Sequence, residues 1–89
     1  MPHKSHEDLE RELGIAKTQV RIGGIYLHYK NPDHKVRVTA IGVQEATDKL
    51  CVIYQDMANE KLVFVRDLDV WLEEPVKGTP RFRLVTEEE

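Results

Sequence analysis

The stretch GGIYLHYKNPDHK, Gly23 to Lys35, decides how the chain is read. Two glycines lead into Ile25-Tyr26-Leu27-His28-Tyr29-Lys30, and Asn31-Pro32-Asp33 follows. A run of aromatic and branched residues bounded by turn formers reads as a β-strand. Pro32, with its fixed φ, predicts a turn over Asn31-Pro32-Asp33. Successive side chains of a strand point to opposite faces. Ile25, Leu27 and Tyr29 therefore share one face, and Tyr26, His28 and Lys30 share the other. The aliphatic pair makes the first the expected core face, with Tyr29 as its partly wet end. The second is expected to be a polar and aromatic surface.

Further strands follow downstream. KVRVTAIGV (35–43) alternates, with Val36, Val38 and Ala40 on the inward face and Gly42 at an expected bulge or bend. LCVIYQ (50–55) starts apolar on both faces, which predicts a central strand. KLVFVR (61–66) is the next strand. EATDK and MANEK between them are turns. DLDVWLEE (67–74) loses the period of two, and the spacing of Leu68, Trp71 and Leu72 predicts one helical turn, stopped by Pro75. RFRLV (81–85) closes the set, with Phe82 and Leu84 inward and Arg81 and Arg83 outward.

Upstream, SHEDLERELG predicts a short helix. Ser5 is its N-cap, and Glu7 and Asp8 suit the positive end of its dipole. Glu7 and Arg11 are spaced as an i,i+4 pair, and Gly14 ends the helix. Leu9 and Leu13 form a thin apolar stripe, so this helix leans on the domain or on a partner.

Eighty-nine residues make one domain with a small core. With 40% hydrophobic and 33% charged residues, whole-chain disorder is excluded. The net charge of −3 sits mostly in Glu87, Glu88 and Glu89. The strand region is nearly neutral, which argues against broad non-specific phosphate binding. A single cysteine, Cys51, rules out an internal disulfide. Its apolar neighbours predict a buried, inert thiol, and its solitude points to a reducing cytoplasm. No run is long and apolar enough to cross a bilayer.

Chemistry is sparse. His28 is suited to general acid–base work, with Tyr26 or Glu73 as possible partners. GGIY leads into a strand and not a helix, so it is no phosphate loop. His3 and His6 form an H-x-x-H spacing without cysteine, too weak a pattern for a metal centre. No metal and no cofactor are expected. The polar face of the first strand, with Arg66 and Arg81, combines flat rings with cations. That combination suits a peptide, a nucleotide-like molecule or another small anionic ligand.

GGIYLHYK, VIYQ, FVRDLDVWLE and PRFRLV occur in an order and spacing that resemble the bacterial "domain of unknown function 1653" family, over about residues 22–85. The matching positions are Tyr26, His28, Tyr29, Lys30, Tyr54, Gln55, Arg66, Leu68, Glu73, Pro80, Arg81 and Phe82. The resemblance implies a small SH3-like β-barrel and no established activity or cofactor. Asp67 stands where members usually have proline, so it is expected to pair with Arg66 or to cap the helical turn.

The resulting expectation is a mainly β protein, a small SH3-like antiparallel barrel with an open curled sheet as the alternative. Its parts are an N-terminal helix and linker (1–21), the barrel (22–86) and an acidic tail (87–89). Its function is expected to be that of a cytoplasmic binding or interaction module. The candidate ligand-binding residues are Tyr26, His28, Lys30, Tyr54, Gln55, Arg66, Glu73 and Arg81. The alternatives are a small enzyme using His28, or a structural subunit that forms a homodimer through the N-terminal helix or a sheet edge.

Overall fold

A computed structural model describes residues 3–85; the acidic tail at 87–89 lies outside them. Helix α1 spans His6–Gln19 and precedes strands β1 (Ile25–His28), β2 (Asn31–Val43), β3 (Leu50–Asp56) and β4 (Val63–Asp67). A short helix, α2 (Leu68–Trp71), precedes the last strand, β5 (Phe82–Leu84). The five strands form one antiparallel sheet in the order β4-β3-β2-β1-β5. The mainly β class and both helices stand as expected, but the barrel does not close. β4 and β5 are the two edges of an open sheet, and they meet only through side chains. The Arg66 guanidinium on β4 lies 5.3 Å from the centre of the Phe82 ring on β5.

The face assignment of β1 is inverted. Tyr26 is buried in the core with Val20, Val36, Val38, Val52, Tyr54, Trp71 and Phe82. Ile25 and Leu27 are only partly buried on the outer face. The reason lies in pairing. Directly opposed residues of an antiparallel pair point to the same face. Tyr26 opposes Val36 on one side and Leu84 on the other. Since Val36 is buried, Tyr26 must follow it inward. Trp71, delivered by α2, makes that face aromatic. It stacks on Phe82 at 3.8 Å and 6°, and Tyr26 meets it edge-on at 5.2 Å. Leu84, expected inward, is exposed at the end of β5.

The first hairpin turns earlier than the proline suggests. His28 pairs with Asn31, so Tyr29 and Lys30 form the turn. The next pair is Leu27 with Lys35. Pro32, Asp33 and His34 thus bulge out of the ladder, where a missing N–H costs nothing. A second irregularity falls at Thr39 and not at Gly42. The extra residue shifts the inward set from Val36 and Val38 to Ile41, leaving Ala40 outside it.

Helix α1 begins as expected, with the Ser5 hydroxyl accepting the Asp8 N–H at 3.1 Å. It does not end at Gly14 but runs through it to Gln19. Burial of Ala16 in its last turn and of Val20 just beyond outweighs the helix cost of one glycine. Arg11 pairs with Asp8 at 2.9 Å and not with Glu7. The chain then turns through Gly23 (φ +85°) and Gly24 into β1. A Cβ on Gly24 would stand 2.9 Å from the Arg21 carbonyl oxygen, so only glycine fits this close approach.

Candidate functional site

Between the unjoined edges lies a pocket of about 270 Å³. Its floor is made by the buried residues Val36, Tyr54 and Phe82. Phe64 and Arg66 of β4 form one side, and His28, Asn31 and His34 form the other. The strand order explains the assembly. β3 lies between β4 and β2, and β1 brings β5 alongside. Tyr54 opposes Phe64, Val52 opposes Arg66, and His28 opposes Phe82. All of these therefore project to the same face.

Aromatic rings dominate the lining. Tyr54 is within 5.6 Å of both Phe64 and Phe82, and the His28 ring meets Phe82 edge-on at 5.0 Å. Arg66 is half-buried above Phe82. Among the described residues no carboxylate lies within 4.0 Å of its guanidinium. His28 is held below the ordinary imidazole range by burial first, and then by the positive charges of Arg66, Arg81 and Lys30. Its Nδ1 accepts the Lys30 N–H at 3.1 Å, so in the neutral ring the proton sits on Nε2.

Asn31 and His34 also line a larger groove of about 630 Å³ along the β2 bulge, and Asp56 lines that groove with them. His34 Nε2–H donates to the Asp56 carboxylate at 2.7 Å. Asp56 is buried and also accepts the N–H groups of Ala58 and Asn59. Its burial opposes ionisation, but these hydrogen bonds outweigh that and hold its carboxyl below the usual range.

Of the residues expected to bind a ligand, His28, Tyr54 and Arg66 come together in the pocket. Tyr26 does not: its ring is core, and its hydroxyl accepts the Arg21 N–H at 2.9 Å. Gln55 points to the opposite face of β3 and donates to the Glu60 carbonyl at 2.9 Å. Lys30 is exposed in the turn, 5.7 Å from the Tyr29 ring. Arg81 anchors the loop after α2, with Nε donating to the Val70 carbonyl and the guanidinium 3.6 Å from Glu73. These two side chains are occupied with each other, and neither lines the pocket. Asp67 neither pairs with Arg66 nor caps α2 through its side chain; its carboxylate faces the Cys51 thiol at 3.7 Å.

His34, Asn31, Phe64, Val36 and Phe82 complete the lining, none of them among the candidate binding residues the sequence points to. His34 reads as a turn residue because its partner Asp56 is 22 positions away. Phe64 lies on the same face as Arg66 because the two are two residues apart on β4, a spacing the sequence shows but no local pattern marks as a binding position.

The family profile described as "Protein of unknown function (DUF1653)" matches residues 24–84. No curated protein and no solved structure matches the chain.

Proposed function

We propose that this chain, which belongs to the DUF1653 family, is a binding module for a small anion carrying a flat ring, nucleotide-like in character. The observation that carries this reading is Arg66, a half-buried guanidinium above an aromatic floor with no carboxylate of its own among the described residues. A cation so placed leaves its charge available to an incoming carboxylate or phosphate. The rings of Phe64, Tyr54 and His28 supply stacking surface. Base–aromatic stacking is worth about 1–3 kcal/mol per base. Neutral His28 contributes Nε2–H as a donor. A volume of about 270 Å³ suits one ring and its anionic group, and the groove beside it offers room for a longer ligand.

The same contacts favour binding over proton transfer by His28. Its Nδ1 is engaged by the Lys30 amide, and the charges that act on it are cations, which oppose its protonation. Cys51 is a free thiol, which supports a reducing compartment, and the bacterial cytoplasm is the location this reading assigns. No helix among the described residues is long and apolar enough to cross a membrane.

Adenosine monophosphate is a suitable probe, followed by amide NMR of the labelled protein. Saturable shifts should centre on His28, Asn31, Phe64 and Arg66. Adenosine lacking the phosphate should bind at least about tenfold more weakly, the scale of one charge-assisted contact. Arg66→Gln should remove that difference. Shifts that do not saturate, or equal binding by wild type and Arg66→Gln, would exclude the reading.

A further inference from the structure

The two edges of the sheet are built differently. β5 has three residues and carries Arg83, with Arg81 just before it. Shortness and charge are usual protections of an edge. β4 has neither protection along its first half. Leu62, Val63, Phe64 and Val65 are 45%, 55%, 41% and 65% exposed. The direction of its backbone groups follows from the ladder. The Asp56 N–H donates to the Leu62 carbonyl at 3.0 Å, and the register continues through Tyr54–Phe64 and Val52–Arg66. Antiparallel pairs alternate between bonded and non-bonded. Phe64 and Arg66 therefore turn their N–H and C=O groups toward β3, as Leu62 does its C=O, while the Leu62 N–H donates to the Asn59 carbonyl at 3.0 Å. Val63 and Val65 turn theirs outward, along an apolar and open edge, whereas the C=O of Asp67, the N-cap of α2, is taken up by that helix.

We propose that a second copy of this chain docks antiparallel along β4, joining the two sheets into one. The strand is complementary to itself. Outward-facing residues must oppose outward-facing residues for the new hydrogen bonds to form. A two-fold axis at Phe64 satisfies this. It sets Val63 against Val65 twice and Lys61 against Asp67 twice, so apolar meets apolar and cation meets anion. Phe64 then faces its own copy on the pocket side. An axis at Val65 also meets the backbone condition but opposes Val63 with the Asp67 carboxylate, which makes it the poorer register. An extended segment of another protein could make the same backbone bonds, but the paired charges and valines favour the chain's own strand. The axis is perpendicular to the sheet, so both pockets open on one face, with the two Phe64 side chains between them.

Sedimentation equilibrium of the full chain without ligand tests this independently of any ligand. A concentration-dependent dimer is expected. Val65→Arg alters a side chain that is mostly in solvent, so its circular dichroism should match wild type while the dimer is lost. Lys61→Asp should weaken the dimer about tenfold by turning two attractive pairs repulsive. In a mixed-label sample, filtered NOEs should join the Val63 methyls of one copy to the Val65 methyls of the other. A chain that stays monomeric up to millimolar concentration would overturn the proposal. So would a dimer indifferent to Val65→Arg, or NOEs joining Val65 to Val65.

Discussion

Tyr26 shows how a single side chain can be misjudged from its own strand. Alternation correctly separates Tyr26 from Ile25 and Leu27, but alternation does not say which face is inward. Local hydropathy favours the aliphatic pair. The partner strand decides otherwise, because Tyr26 opposes the buried Val36. The consequence is measurable. Tyr26→Ala should cost about 3–5 kcal/mol, as for other large aromatics in a core. Tyr26→Phe should cost about 1–2 kcal/mol, because the Arg21 amide loses its acceptor. Tyr29→Ala, at a half-buried turn position, should cost less than Tyr26→Ala. Urea melts of the three variants give the order. Cys51 was legible, since flanking apolar residues predicted burial and it is buried. Burial, and then the nearby Asp67 charge, push its thiol above the ordinary range. A thiol reagent at neutral pH should therefore label the native protein more slowly than the urea-unfolded chain. His34 was not legible as a pocket residue, because its role comes from Asp56 on another strand.

Elements were easier to read than their ends. Alternation marked β2, apolar runs bounded by turns marked β3 and β4, and the loss of the strand period marked α2. The helix end failed at Gly14 because glycine is a stop only when nothing beyond it needs the helix. Here Ala16 and Val20 do. Gly14 itself is exposed, and a Cβ there would have nothing within 4 Å. Gly14→Ala should therefore stabilise the protein by about 0.5–1 kcal/mol, the helix preference of alanine over glycine. A thermal or urea transition displaced upward would bear this out, and one displaced downward would mean the backbone at Gly14 is not free to accept a side chain. The first hairpin was misplaced for a related reason. Pro32 signals a departure from regular pairing, but a bulge serves it as well as a turn.

For the whole molecule, class and strand number were legible, and closure was not. Whether β4 and β5 pair depends on curvature, which the Thr39 and Pro32–His34 irregularities set and no local pattern encodes. The open seam is what creates the pocket. Long-range contacts also set the response to acid. Asp48 is held below its usual range by the Lys4 amide and then by His3, and Asp56 is also held low, its hydrogen bonds outweighing burial. Both carboxylates favour the folded state above their unfolded pKa, near 3.9. That contribution is lost as pH falls from there through their lower folded values. Stability should thus drop below about pH 4, and Asp56→Asn should flatten that drop in urea melts run across the acid range. The proposal rests on Arg66 and its aromatic neighbours at the seam receiving an anion. The pH titration of the His28 ring by NMR tests it most directly. The midpoint should lie below the ordinary value near 6.5, rise in Arg66→Gln, and rise in wild type saturated with adenosine monophosphate. A midpoint at or above the ordinary value, unmoved by either change, would contradict it.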